Sequence, residues 1–276
     1  GDAYASNVDG TRRSDLPSLS TYSIVDTMPE DPRYILVQRS VESAFLSRYD
    51  TFTGEVRTVA TAPLRAASFL LDHERKVRYA VGITEDLEEV TLRRDGDKWS
   101  TVHSAKMGGA VRSPIIFHPD NKRVYFRISR DGEPSAIYLV DPETNEETLV
   151  ASNPNVDTYA GLISSDRKTL LGSAAMDGIP AYSFIDKEHP ESKTYAGLIN
   201  AFPDHVVSFF GISNDGRYIL FSAWSDVDPG SYYLFDRQEA SARFLVAPRP
   251  WIKPEQMATM EPISFKARDG KTIHGF

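Results

Sequence analysis

Ile115-Ile116-Phe117, then Pro119-Asp120-Asn121-Lys122, then Val124-Tyr125-Phe126: an apolar run, a polar turn built on an aspartate, and a second apolar run. Four other segments repeat this grammar. Upstream are Ile24-Val25 with Glu30-Asp31-Pro32-Arg33 and Tyr34-Ile35-Leu36-Val37, and Phe69-Leu70-Leu71 with Asp72-His73-Glu74-Arg75 and Val77-Arg78-Tyr79-Ala80-Val81. Downstream are Gly161-Leu162-Ile163 with Ser165-Asp166-Arg167-Lys168 and Thr169-Leu170-Leu171, and Phe210-Gly211-Ile212 with Asn214-Asp215-Gly216-Arg217 and Tyr218-Ile219-Leu220-Phe221. The turn aspartates at 31, 72, 120, 166 and 215 are 41, 48, 46 and 49 residues apart. A fixed period of this size marks a repeat architecture.

A second aspartate turn recurs out of phase with the first. It stands at Val8-Asp9-Gly10, Tyr49-Asp50-Thr51, Arg94-Asp95-Gly96, Val140-Asp141-Pro142, Ile185-Asp186-Lys187 and Phe235-Asp236-Arg237. Asp, Asn, Gly and Pro suit such turns because they accept left-handed dihedrals or preset φ. The β-branched and aromatic residues between them suit half-buried strands. Two hairpins per repeat make a four-stranded antiparallel sheet, the unit of a β-propeller blade. The sequence therefore predicts an all-β fold of about five and a half four-stranded blades from a seven-bladed propeller.

The blades fall at about 20–62, 65–106, 112–153, 158–200 and 206–248, after an outer hairpin at 1–16 that lacks its inner partner. The chain is thus expected to start in mid-blade, leaving a sheet edge to be filled by another segment or another copy. Strand runs near the start of each repeat read as more continuously apolar than later ones, and strands at the start of a repeat are expected to be buried on both faces. Long helical periodicity is essentially absent. In the second repeat the acidic stretch Thr84–Val90 fits helix about as well as strand, and is read as a strand with a charged turn.

Composition narrows the function classes. Thirty-one basic against 39 acidic residues give a net charge of −8, with the basic residues scattered, as in Arg12-Arg13, Lys122-Arg123 and Arg167-Lys168. Such a chain repels phosphate backbones, so nucleic acid is not an expected partner. No stretch approaches the roughly 18 apolar residues that span a bilayer, so no membrane partner is expected. The absence of cysteine removes disulfides, thiolate metal sites and a cysteine nucleophile, and leaves the compartment, cytoplasm or periplasm, open.

From Trp224 the sequence becomes specific. Trp224-Ser225-Asp226-Val227-Asp228-Pro229-Gly230-Ser231-Tyr232-Tyr233-Leu234-Phe235-Asp236 resembles the last propeller blade of the prolyl oligopeptidase family, the S9 serine peptidases, and most of all the acylaminoacyl-peptidase-like branch. Pro248-Arg249-Pro250-Trp251-Ile252-Lys253-Pro254 resembles the connection out of that propeller, giving a linker at 251–261. Phe265-Lys266-Ala267-Arg268-Asp269-Gly270, followed by Ile273-His274-Gly275, resembles the first hairpin of the family's α/β-hydrolase domain, placed at 262–276. The specific match covers about 50 residues; the upstream repeats agree in architecture alone.

The resemblance implies the substrate-gating propeller of a peptidase that hydrolyses oligopeptides, partnered by its own α/β-hydrolase domain. The family's nucleophile sits in a Gly-x-Ser-x-Gly elbow. No such string occurs here; Gly211-Ile212-Ser213-Asn214-Asp215-Gly216 has the wrong spacing and reads as a blade turn. No catalytic, cofactor-binding or metal-ligating residue is therefore assigned to any position, no cofactor is expected, and the fragment itself is expected to be inactive.

Other groups read as structural. The histidines at 73, 103, 118, 189, 205 and 274 lack the i, i+4 spacing of a helical zinc site, and a propeller is expected to offer no helix to mount one. Asp226, Asp228 and Gly230 suggest a calcium loop but lack its closing glutamate. Glu85, Asp86, Glu88 and Glu89 could hold a peptide's amino terminus, as paired glutamates do in dipeptidyl members of the family, but their context reads as a solvated loop. Tyr232, Tyr233, Phe209, Phe210 and Phe235 are expected to pack between blades. Two alternatives stay open: a non-enzymatic propeller that binds proteins or peptides, and a propeller enzyme such as a lactonase with its site in the channel.

Overall fold

The computed structural model describes residues 4–6, 9–11, 13–31, 33–130, 132–177, 179–213 and 215–276. Residues 1–3, Asn7, Val8 and Arg12 of the expected outer hairpin, and the turn residues Pro32 and Asn214, lie outside the described residues. The chain divides into two compact units, 1–114 and 115–276.

The first unit opens with β1 (Tyr4–Ala5) and β2 (Ser14–Asp15), a two-stranded ladder, and a 3₁₀ turn at Pro17–Thr21. Two antiparallel meanders follow. The first blade is β3 (Ser23–Asp26), β4 (Tyr34–Ser40), β5 (Ala44–Asp50) and β6 (Val56–Ala62). The second is β7 (Arg65–Leu71), β8 (Val77–Ile83), β9 (Glu88–Asp95) and β10 (Lys98–Lys106). Leu36, Ala44, Leu46 and Ala62 of the first blade pack against Ala67, Phe69, Val77 and Ala80 of the second. The other face of the first blade is closed by Leu16, Leu19 and Tyr22 over Val37 and Tyr49.

The second unit holds three blades. The third blade of the chain is β11 (Arg112–Phe117, which opens at the division), β12 (Val124–Ile128), β13 (Ala136–Val140) and β14 (Glu147–Ala151). The fourth is β15 (Thr158–Ile163), β16 (Leu170–Asp177) and β17 (Ile179–Phe184), followed by α1 (Pro190–Ala201). The fifth is β18 (Val206–Ile212), β19 (Tyr218–Trp224), β20 (Ser231–Asp236) and β21 (Ser241–Val246). A final hairpin, β22 (Ile263–Lys266) and β23 (Thr272–Gly275), forms a sheet of its own. The fold is an all-β propeller with five blades, four of them complete four-stranded meanders.

Three expectations need correction. First, the fourth blade has three strands, and a helix stands where its outer strand was expected. His189 is the N-cap, its ring nitrogen accepting the Glu191 N–H at 3.2 Å, and Pro190 occupies the first turn, where its missing N–H costs nothing. Tyr195, Leu198, Ile199 and Phe202 then recur at helical spacing and cover the core of Leu171, Phe221 and Ile219. Burying a residue such as Leu198 stabilises by roughly 1.5–3 kcal/mol, which outweighs the poor helix propensity of Gly197.

Second, the first strand is not the most buried of its blade: Leu170–Ala175 of β16 are all buried whereas β15 alternates, and in the first blade the third strand, β5, is the most buried. An inner strand has a neighbour on both sides and packing on both faces; a first strand is a sheet edge. Third, the aromatic set divides between two faces. Phe209, Tyr233 and Phe235 join the core with α1, while Phe210 is 56% exposed and meets the Tyr232 ring at a tilt on the opposite side. Phe209 and Phe210, like Tyr232 and Tyr233, are consecutive in a strand, so their side chains point to opposite faces.

Candidate functional site

Each blade has two chemically distinct ends. At one end the chain turns from first to second strand and from third to fourth, and here the repeated aspartates are spent on backbone. The carboxylates of Asp72, Asp120, Asp166 and Asp215 accept the N–H groups of Glu74, Lys122, Lys168 and Arg217 at 2.9–3.0 Å. Those of Asp50, Asp141, Asp186 and Asp236 each accept two N–H groups from the residues that follow. Arginines lock the two turns together: Arg33 donates to Asp50 at 2.8 Å, and Arg217 to Asp236 at 2.6 Å.

Electrostatics at this end follow from those contacts. Partial burial works to raise the Asp120 pKa, but the N–H groups of Lys122 and Arg123 and the Arg123 guanidinium overturn it and hold the carboxyl well below the usual range. Asp166 is lowered in the same way by the Ser164 hydroxyl and the Lys168 N–H. The Arg217 guanidinium lowers Asp236. His118, 3.0 Å from Asp120, lies in this network.

The other end carries the connections from second to third strand. In the first unit it holds a cavity of about 510 Å³, lined by Thr21, Ser23, Gln38, Arg39, Ser40, Val41, Ala66 and Ala67. Two backbone features shape its wall. Ala66 takes a left-handed φ of 45°, and Gly82 lets β7 approach so closely that a β-carbon there would meet Ala67 Cβ at 2.6 Å. The Ala67 N–H donates to the Ser40 hydroxyl at 3.0 Å, fixing the floor. The Arg39 guanidinium carbon sits 5.6 Å from the Tyr22 ring centroid and 5.9 Å from that of Phe45, within cation–π range.

The acidic residues at 85–89 also lie at this end, in the turn between β8 and β9 and at the start of β9. Arg65 donates to Glu85 at 3.1 Å and the Ser104 hydroxyl to Glu88 at 2.9 Å, while Glu85, Asp86 and Leu87 face solvent.

In the second unit, the loop between β19 and β20 folds on itself. The N–H of Gly230 donates to Asp228 at 2.9 Å, and Ser225 accepts from Val227 and Asp228. Asp226 keeps one oxygen for the linker, accepting the Met260 N–H at 2.7 Å. The hairpin turn after β22 closes through Gly270, at φ 82°, whose N–H donates to the Ala267 carbonyl. The Lys271 ammonium stands beside Gly132, 3.8 Å from where a β-carbon there would sit. The linker thus meets the second-to-third-strand loop of the fifth blade through Met260, and the hairpin turn brings Lys271 near the corresponding loop of the third blade. His274 is exposed on β23, opposite Ser264. His103 contacts the Ala110 carbonyl and His205 the Pro203 carbonyl, both at 2.8 Å.

Arg39, Ser23 and Gln38 were not singled out in the sequence. The available signal was a polar Gln38-Arg39-Ser40 ending an otherwise apolar strand.

No family model matches the chain. Dipeptidyl aminopeptidase BIII of Pseudoxanthomonas mexicana is 20% identical to it over 260 residues, covering 92% of this chain and 37% of that protein. The crystal structure of puromycin hydrolase superposes with a TM-score of 0.57 at 16% identity, covering 98% of this chain and 46% of that one. Prolyl oligopeptidase B from Galerina marginata gives 0.53 at 12% identity, covering 97% and 40%. The chain spans less than half the length of each of these relatives. With the segment from Trp224 onward, these likenesses show a chain similar to the propeller portion of S9 peptidases.

Proposed function

We propose that this chain is the substrate-gating propeller of a serine peptidase that hydrolyses oligopeptides. The observation that supports it most is the terminal hairpin. A propeller that only binds partners has no need of a linker whose Met260 N–H is tied to Asp226, nor of a further hairpin that forms a sheet of its own. In this reading, acyl transfer by a Ser-His-Asp set belongs to a hydrolase domain outside these 276 residues, seated on the loop end of a seven-bladed ring. The propeller contributes selectivity, admitting short or unfolded peptides and excluding folded ones by size.

The test compares this chain with a gene product extended beyond Phe276 in its natural reading frame. Labelling by a fluorophosphonate probe and turnover of acyl- or aminoacyl-p-nitroanilide peptides are expected in the longer product alone. A longer product that neither labels nor cleaves would replace the peptidase with a binding propeller.

A further inference from the structure

Many arginines of the first unit are held by carboxylates. Arg33 pairs with Asp50, Arg48 with Asp31, Arg65 with Glu85, Arg75 with Asp26, Arg78 with Asp72 and Arg94 with Asp97. Arg39 differs. Among the described residues it has no carboxylate partner, although Glu42 stands in the adjoining turn. Its guanidinium instead lies near two aromatic rings on the wall of the 510 Å³ cavity. That volume falls within the range of small-ligand sites.

The other lining groups are hydroxyls, an amide and small apolar side chains, so Arg39 supplies the only formal charge among the lining residues. A guanidinium presents a planar fork of donors that matches a carboxylate in a bidentate pair. The neighbouring rings restrict its motion, and the Gln38 amide and Ser23 hydroxyl can complete the hydrogen bonds of the second oxygen. A net charge of −8 disfavours anions at long range, but screening over about 8 Å leaves the local guanidinium in control.

We propose that this cavity binds the C-terminal carboxylate of a short peptide through Arg39. The inference takes the peptide as ligand from the peptidase reading, while the site itself stands on the cavity and its one charge. It assigns to the propeller a positioning role: it grips the end of the peptide away from the scissile bond, so that peptides with a free C-terminus are selected over blocked ones.

The test is calorimetric titration of the 276-residue chain with trialanine, its C-terminal amide, the amide of Ala-Asp-Ala, and inorganic phosphate. Trialanine is expected to bind, and the trialanine amide to bind about tenfold more weakly or worse, as loss of a charge-assisted pair implies. Arg39→Gln should abolish the preference and Arg39→Lys should keep part of it. Arg57→Gln, at an exposed position on β6, should leave it intact. Equal binding of free acid and amide would overturn the proposal, as would a preference that survives Arg39→Gln. If Ala-Asp-Ala amide or phosphate binds as tightly as trialanine, the site is a general anion site and the terminal-carboxylate assignment is lost. None of these readings depends on turnover, so failure of the peptidase assay and failure of this site are separate results.

Discussion

The two ends of a blade are built from the same residue types and do opposite things with them. At the turn end, aspartates and arginines neutralise one another and satisfy backbone N–H groups, as in Arg217–Asp236 with the Gln238 and Glu239 N–H groups. At the loop end, Arg39 has no carboxylate partner among the described residues, Asp226 reaches across to a linker, and Glu85 and Asp86 beside Leu87 face water. A repeat conserves its period where local chemistry closes each turn. It is free to diversify where the turn is closed by something else. The loop end is accordingly where a ligand, a substrate or a following domain can be read by the protein.

Acid should break this contrast first and by the largest margin. Asp50, Asp120, Asp166, Asp215 and Asp236 are all lowered in the folded chain, and all lie at the turn end. A carboxyl with a lowered folded pKa takes up its proton more readily in the unfolded chain. Its stabilisation is therefore complete above the ordinary carboxylate range near pH 4 and disappears as pH falls through the folded value. Thermal unfolding followed from pH 7 to pH 2 should show a steep loss of stability below about pH 4. A melting temperature that is flat across that window would mean the turn aspartates are ornamental.

Gly82→Ala should have a smaller but still large effect, now at the loop end. The new β-carbon would stand 2.6 Å from Ala67 Cβ and 2.8 Å from the Arg65 carbonyl. Both belong to the β7 wall of the cavity, so relief requires backbone movement, at a cost of about 3 kcal/mol. Denaturant titration should show the midpoint falling with an unchanged slope. Unchanged stability would show that the β7 wall yields easily, and the loop end would lose its claim to a preformed cavity.

What could be read from sequence follows the same division. The turn end was legible because its chemistry is local: Asp120 and the Lys122 N–H it accepts are two residues apart, and the period survives in every repeat. The helix at Pro190–Ala201 was not, because it interrupts a β period for one blade alone, although His189-Pro190-Glu191 and the 195, 198, 199, 202 spacing were there to be seen. The cavity was beyond reach for a different reason. Its wall joins residues 21–23, 38–41 and 66–67, and no local pattern announces that three separate stretches will meet.

The smallest expected effect tests whether the loop end really holds the linker. Asp226 is exposed and contributes no apolar packing, so Asp226→Ala should change global stability by less than about 0.5 kcal/mol. Its local effect is different in kind. The Met260 N–H donates to Asp226 Oδ2 at 2.7 Å, and the side chains of Met260 and nearby Met257 are exposed, so little else restrains the segment. One hydrogen bond of about 1 kcal/mol corresponds to a roughly fivefold change in the population of the released linker. Hydrogen exchange at the Met260 amide should therefore accelerate about fivefold in Asp226→Ala, while amides of β19 keep their protection. Asp226→Asn, which retains a neutral acceptor oxygen, should fall between the two. If Met260 exchanges at the same rate in all three, the linker is held by something other than Asp226, and the loop end loses this side chain as its tie to the linker.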